Sequence, residues 1–187
     1  ILKMAGGYHG SHDPVSIAMS AAPGSLPPGL TPGVAGEVIV GGFNDLDRTA
    51  TLVRRHRDQL AAVIVEPMLG SGALVADPAF LDGLRAVTSE CGVLLILDEV
   101  ITFRLGVGGL QGTFGITPDL TSFGKIMGGG FPVGAVGGKR EFMAVFDPTA
   151  GKPALPHGGT FSANPVTMRA GLAAMELLDE AAFARLD

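Results

Sequence analysis

Two short apolar runs, with an amphipathic stretch between them, predict the centre of the fold. Residues 61–65 and 93–97 are continuously apolar, as is typical of strands that are buried on both faces of a sheet. Between them, Asp77 and Pro78 supply a helix cap and a first-turn proline, apolar residues follow at helical spacing, and Gly92 ends the helix. A strand, a helix and a strand at this spacing predict a parallel crossover, and so an α/β fold with a mostly parallel sheet flanked by helices.

Weaker patterns extend this prediction in both directions. The segment 20–36 is rich in Pro, Gly, Ala and Ser, which predicts irregular surface structure. Spacing of apolar residues and capping signals elsewhere predict three more helices and two more strands. The helices are expected at residues 44–59, 139–146 and 164–186, and the strands at residues 119–123 and 133–137.

Composition and charge exclude several classes of partner for this chain. Its 187 residues are 47% hydrophobic and 17% charged, which suits one ordered domain or part of a larger one. The net charge of -5 argues against a general nucleic-acid surface, and no apolar run approaches the length that spans a bilayer. The single cysteine, Cys91, excludes an intrachain disulfide framework and fits a reducing compartment, while the histidines lack metal-ligand spacing. We therefore expect a cytoplasmic protein without a nucleic-acid, membrane or metal partner.

One lysine has an unusual setting. The chain has few lysines, and Lys125 lies among glycines and apolar residues in the stretch 122–130. A desolvated lysine loses its proton more easily, and the neutral amine is the form that attacks a carbonyl to give a Schiff base. The same setting also fits a lysine that reaches from a glycine-rich turn into solvent. The role of Lys125 therefore depends on what the fold places beside it.

An acidic residue, Asp98, ends the second buried strand, and ligands of parallel sheets bind at such strand ends. One interpretation is the metal-holding acid of a nucleotide hydrolase, which needs a phosphate loop of the form G-x-x-x-x-G-K-[ST]. The two Gly-Lys pairs of the chain are followed by Ile126 and Arg140, so neither fits. The other interpretation is a carboxylate that keeps a proton on the ring nitrogen of pyridoxal phosphate. A candidate Schiff-base lysine, Lys125, follows one predicted strand later and favours this second interpretation.

Five segments, in order along nearly the whole chain, resemble the class III, fold type I, pyridoxal-phosphate-dependent aminotransferases. Within that family the chain is most similar to the glutamate-1-semialdehyde 2,1-aminomutases and their relatives. Any one segment is a weak signal, whereas all five together are specific. The segments are YHGSHD at 8–13, VEP at 65–67, LILDEV at 95–100, PDLTSFGK at 118–125 and GGTFSANP at 158–165.

The resemblance implies roles around the ring of pyridoxal 5'-phosphate. Lys125 matches the lysine that forms the Schiff base and later moves a proton, and Asp98 matches the partner of the ring nitrogen. Val100 matches the aliphatic residue on one face of the ring, and Tyr8 matches the aromatic residue stacked on the other face. His9 belongs to the same motif, where a structural hydrogen bond is an equal alternative.

The resemblance also implies contacts farther from the ring. Glu66 matches an active-site carboxylate that can pair with a substrate-gating arginine, although a turn residue before a proline is the simpler alternative. Thr160, with Gly159 beside it, matches a hydroxyl that reaches the cofactor phosphate of the neighbouring subunit. The implied assembly is a homodimer whose active site is shared across the interface.

The resemblance covers only part of a family member. Residues 1–187 match the central part of the cofactor-binding large domain, without the family's N-terminal phosphate-binding segment and C-terminal small domain. The expected activity is amino transfer between an amine or amino acid and a carbonyl compound. Intramolecular transfer by an aminomutase and a non-catalytic fragment are the alternatives. Ser11 and His12 depart from the aminomutase motif, and the segment after Asp98 lacks the family's glycine. We expect the chain on its own to bind the cofactor weakly or not at all.

Overall fold

The computed structural model describes residues 1–19, 26–149 and 151–186, and a six-stranded sheet forms its centre. Its strands are β1 (Leu2–Met4), β2 (Ile39–Gly41), β3 (Ala62–Val65), β6 (Leu94–Asp98), β7 (Leu120–Gly124) and β8 (Gly134–Gly138), and a separate hairpin joins β4 (Met68–Leu69) to β5 (Leu74–Val75). The strand order in the sheet is β2-β1-β3-β6-β7-β8. All neighbours in this sheet pair in parallel except β7 and β8, which are antiparallel. The mostly parallel sheet predicted from the sequence is confirmed.

Eight α-helices occur in the described residues, and the two longest of the first half, α3 and α4, pack against each other. The helices are α1 (Asp13–Ser16), α2 (Pro32–Ala35), α3 (Leu46–His56), α4 (Pro78–Cys91), α5 (Gly109–Phe114), α6 (Arg140–Met143), α7 (Pro165–Leu177) and α8 (Glu180–Leu186). Short 3-10 helices lie at Thr102–Leu105, Lys125–Gly128 and Ala144–Phe146. No helix in this described part of the chain is long and apolar enough to cross a membrane.

The core forms where the sequence is most apolar. Strands β3 and β6 lie side by side, with Val65 opposite Leu97, and most of their side chains are buried. Helix α4 covers them with Leu81 and Leu84, which are both fully buried. Burying a side chain of this size contributes about 1.5–3 kcal/mol, so this crossover is the rigid frame that fixes the ends of β6 and its neighbours.

Local capping explains where the main helices begin and end. The side chain of Asp45 accepts a hydrogen bond from the backbone N–H of Arg48 at 3.1 Å and starts α3. Gly92 ends α4 in the left-handed conformation, with φ at 67°. The predicted strands, and the helices α3 and α4, therefore lie within a few residues of their predicted positions.

Three predicted segments differ from the structure. The long helix at 164–186 is broken, because Leu178 leaves helical geometry and the carboxylate of Asp179 accepts a hydrogen bond from Ala182 N at 2.7 Å, which starts α8. The predicted helix at 139–146 is α6 followed by a 3-10 turn. Of the predicted irregular segment 20–36, residues 20–25 lie outside the described part, and the remainder contains the short helix α2.

Candidate active site

The candidate site is centred on Asp98, the last residue of β6. The carboxylate is buried, with 6% of the residue exposed, and lies opposite Ser122 on the neighbouring strand β7. Its Oδ2 atom is 2.7 Å from Nδ1 of His9, and its Oδ1 atom accepts a hydrogen bond from Val100 N at 3.2 Å. Because a carboxylate can only accept, Nδ1 of His9 is the donor. The structure thus joins the YHG motif directly to the strand-end aspartate.

Val100 packs against Gly124, the last residue of β7, where β6 and β7 end. A Cβ atom added to Gly124 would lie 3.3 Å from Cγ1 of Val100, so the glycine leaves room for this side chain. Lys125 follows at once and has a φ of 50°, a left-handed conformation that non-glycine residues rarely adopt. Such backbone strain costs about 1–3 kcal/mol and is concentrated at functional sites. The strand ends therefore bring Val100, Asp98 and the backbone of Lys125 to one region.

Of the two settings that the sequence leaves open for Lys125, the structure shows the one that reaches solvent. Its side chain is exposed, and no hydrogen bond or ion pair joins it to another described residue. Lys125 is the first residue of the 3-10 turn at Lys125–Gly128, which begins as soon as β7 ends. Lys125 directly follows β7, the neighbour of the strand that ends at Asp98, and its role as the Schiff-base lysine stays a prediction.

Two buried polar atoms near Asp98 have no partner among the described residues. They are Nε2 of His9 and Oγ of Ser122. Leaving a buried polar group unsatisfied costs about 1–3 kcal/mol, so a polar ligand that hydrogen-bonds here would offset that cost. The residues present therefore fit a planar, nitrogen-containing cofactor: Asp98 can accept from a protonated ring nitrogen, and His9 and Ser122 offer further hydrogen-bonding atoms.

Tyr8 is the neighbour of His9 in the chain and has an exposed aromatic ring. The residue is about half exposed, and its backbone N–H donates to Oε2 of Glu66 at 2.9 Å. Since the next residue is His9, the loop that presents the ring is tied to Asp98 as well. An exposed ring on a fixed loop is suited to stacking on a flat ligand.

Glu66 is a buried carboxylate whose two oxygen atoms are both engaged. Oε2 accepts from Tyr8 N, and Oε1 accepts from Gly70 N at 3.1 Å. These contacts favour the simpler alternative, a residue that organises the turn after β3. Its role towards a substrate stays a prediction.

Gly159 and Thr160 lie on the exposed segment before α7, away from these contacts. Gly159 lines an open cleft together with Val133 and Asn164. Among the described residues, no hydrogen bond joins Gly159 or Thr160 to His9, Asp98 or Lys125. The exposure is compatible with the predicted contact to a neighbouring subunit, which stays a prediction.

The sequence analysis missed Lys3, the most deeply buried lysine of the described chain. Its Nζ atom donates to the carbonyls of Gly7 at 2.9 Å, Val15 at 2.6 Å and Ile17 at 2.7 Å. Burial lowers the pKa of Lys3 to about 8, although the carboxylate of Glu66 acts in the opposite direction. A lysine between two apolar residues of a strand, just before the motif that contains Tyr8, was the available signal.

Two further buried carboxylates hold the frame together. Glu99 accepts hydrogen bonds from Leu110 N at 3.1 Å and Gln111 N at 2.5 Å, and so caps helix α5. Asp119, which directly precedes β7, forms ion pairs with Arg85 and Lys139. In the described residues, no group of three or more His, Cys, Asp or Glu side chains is arranged to hold a metal ion.

Known proteins with the same architecture are aminotransferases and aminomutases. The sequence matches the family profile described as "Aminotransferase class-III" over residues 1–186. A glutamate-1-semialdehyde 2,1-aminomutase of Methanosphaera stadtmanae is 43% identical over 100% of this chain and 44% of its own length. An ω-transaminase from Sphaerobacter thermophilus superimposes with a TM-score of 0.95 and 52% identity, over 100% of this chain and 45% of its own.

A further solved structure, described as a transaminase with PLP bound, has a TM-score of 0.92 and 40% identity over 97% of this chain and 44% of its own. The chain thus spans less than half the length of the relatives it matches. The fold expected from the resemblance, part of a pyridoxal-phosphate-dependent transferase, is confirmed by these superpositions. The chain belongs to the class III aminotransferase family.

Proposed function

We propose that this chain supplies the centre of the active site of a pyridoxal-phosphate-dependent aminotransferase. The observation that carries the proposal is the buried Asp98 carboxylate, hydrogen-bonded to His9 at the end of β6, beside Val100 and the strained backbone of Lys125. Residues 1–187 would form the central part of the large domain of the whole enzyme. Because the chain is less than half as long as its relatives, activity, substrates and partners all belong to this proposal.

The proposed site residues have two tasks, which are to hold the cofactor and to transfer a proton. When bound, pyridoxal phosphate supplies an aldehyde that exchanges amines and a ring that withdraws electrons from the substrate carbon. Lys125 would hold the cofactor through its Nζ atom and would be the group that moves the proton to or from the substrate carbon. The Asp98 carboxylate, which His9 holds in place, would keep a proton on the ring nitrogen. Val100 and Tyr8 would pack against the ring.

The phosphate end of the cofactor is proposed to lie against a second copy of the chain. Gly159 and Thr160 are exposed, as a contribution to a partner's site requires. Backbone N–H and hydroxyl groups are ordinary phosphate donors. The proposed assembly is therefore a homodimer with shared sites, and the single cysteine favours the reducing environment of the cytoplasm.

The substrates are proposed by class only, as an amine or amino acid and a carbonyl compound. Transfer between two molecules is the main proposal, since the ω-transaminase of Sphaerobacter thermophilus is 52% identical across the whole chain. Transfer within one molecule is the second candidate, because curated relatives such as the one from Methanosphaera stadtmanae are aminomutases and are 43% identical.

A single-donor experiment tests the proposal and separates these two candidates. The enzyme, expressed from its complete reading frame, is given cofactor and one amino donor without an acceptor. An aminotransferase releases one carbonyl product per site and then stops, whereas an aminomutase converts its substrate into an isomer without stopping. The exposed Lys152→Ala is the matched control and should keep the wild-type yield. Lys125→Ala should lose product formation by about 10²-fold or more, and an unchanged yield would refute the proposal.

A further inference from the structure

Lys3 is a buried cation whose hydrogen-bonding capacity is completely used. An ammonium group has three donors, and those of Lys3 point to three carbonyls, of Gly7, Val15 and Ile17. The carbonyls belong to the two ends of one loop, which leaves β1 after Met4 and returns through α1. A buried charge is tolerated only when it is paired or fully hydrogen-bonded, so the loop and the lysine require each other.

Glu66, in the turn after β3, holds the same loop through its backbone. Its carboxylate accepts from Tyr8 N at 2.9 Å and from Gly70 N at 3.1 Å. The hydroxyl of Ser71 adds a hydrogen bond to the carbonyl of Gly6 at 3.1 Å. The turn after β3 is therefore attached to the loop at two residues, Gly6 and Tyr8.

Gly7 is the point at which these contacts converge. Its carbonyl accepts from Lys3, and a Cβ atom added to it would lie 3.0 Å from Nε2 of His9 and 3.7 Å from Oε2 of Glu66. The lysine, the glutamate and the histidine are thus packed around one residue that has no side chain. Attraction between Lys3 and Glu66 acts across the same point.

We propose that Lys3 is a positioning residue that, together with Glu66, fixes the loop at residues 7–17 so that Tyr8 and His9 are held at the Asp98 site. The inference rests on the proposed function only for the identity of the ligand at that site. It assigns Glu66 to loop positioning through its two backbone contacts. Lys3 acts through Tyr8 and His9 and touches no reacting atom.

The composition of the chain supplies a direct probe. Tyr8 is the only tyrosine, and the chain has no tryptophan, so its ultraviolet fluorescence reports on Tyr8 alone. The test compares Lys3→Met, which keeps the length of the side chain without its donors, with Lys152→Met at an exposed position. Fluorescence anisotropy and acrylamide quenching of the 187-residue chain measure how firmly the ring is held.

We expect Lys3→Met to free the loop while the sheet stays folded. Anisotropy of Tyr8 should fall and its quenching constant should rise about twofold, with amide hydrogen exchange at residues 7–17 faster by about tenfold or more. Exchange at residues 94–98 should change by less than about threefold, and Lys152→Met should match the wild type. Unchanged Tyr8 signals would overturn the proposal, and so would an equal increase in exchange along the whole chain, because that indicates general stabilisation only.

If Lys3→Met does not fold, the milder variant Glu66→Gln tests the positioning proposal. Glu66→Gln keeps the shape of the side chain and one good acceptor, and it should shift the Tyr8 signals in the same direction by a smaller amount. A Glu66→Gln chain with wild-type Tyr8 signals and wild-type exchange at residues 7–17 would contradict the proposal. Neither readout requires cofactor, so a failure here is distinct from a failure of the proposed function, which is measured at Lys125.

Discussion

The side chains of Lys125 and Lys3 differ in burial in a way that the sequence does not reveal. Lys125 lies among glycines and apolar residues, yet it is exposed, and its distinctive feature is a backbone φ of 50°. Lys3 is fully buried and bonded to three carbonyls. Local sequence could not reveal this difference, because burial depends on which strands pair and on where the next loop folds back. In the sequence, Lys125 is indicated by its glycine-rich setting, by its position after Asp98 and by the order of the motifs.

Lys3 predicts a specific pH dependence of stability. Its pKa in the folded chain is about 8, below the value of about 10.4 for an unfolded lysine. Between these values the unfolded chain binds more protons, so this group makes the free energy of unfolding rise as the pH rises. Relative to Lys3→Met, the wild-type chain should gain about 2 kcal/mol between pH 7 and pH 10, measured by urea unfolding. A constant difference between the two proteins across that range would contradict the assigned pKa.

At the scale of elements, apolar continuity predicts the buried centre of the structure. Strands β3 and β6 and helix α4 follow from runs and spacing alone, because they are buried in one core. Strand β1 was missed since Lys3 interrupts its apolar run. The break between α7 and α8 was missed because Asp179 caps a new helix inside an otherwise helical pattern. The candidate site could be predicted where it lies on strand ends, and could not where loops carry it.

The side chain of Asp119 joins three elements of the fold, and its removal is expected to lower the stability of the chain. Burial raises its pKa, but hydrogen bonds from Leu95 N, Lys139 and Arg85 outweigh that effect and hold the pKa below its ordinary value. The carboxylate thereby connects β6, α4 and the end of β8. Asp119→Asn should lower the free energy of unfolding by about 2 kcal/mol in urea denaturation at pH 7.

The matched control for this change is Asp58→Asn, at a carboxylate that is almost fully exposed. It should alter the free energy of unfolding by less than about 0.5 kcal/mol. Equal effects at both positions would show that Asp119 contributes no more than a surface charge.

At the scale of the whole molecule, the chain spans less than half the length of the relatives it matches. Several apolar side chains of α7 are more than half exposed, among them Val166, Met168 and Leu177. Relatives are more than twice as long, and the proposed second copy and flanking segments would cover such surface. The same reasoning predicts that the 187-residue chain alone binds pyridoxal phosphate weakly, whereas the enzyme from the complete reading frame binds it tightly.

Borohydride reduction tests the central claim, that Lys125 is the lysine that bonds to the cofactor. The enzyme from the complete reading frame is mixed with pyridoxal phosphate, reduced and analysed by peptide mass spectrometry, with Lys152→Ala as the control. We predict one stoichiometric cofactor label on Lys125 in the wild type and in the control, and no stoichiometric label in Lys125→Ala. A stoichiometric label on another lysine, or one that persists in Lys125→Ala, would contradict the account.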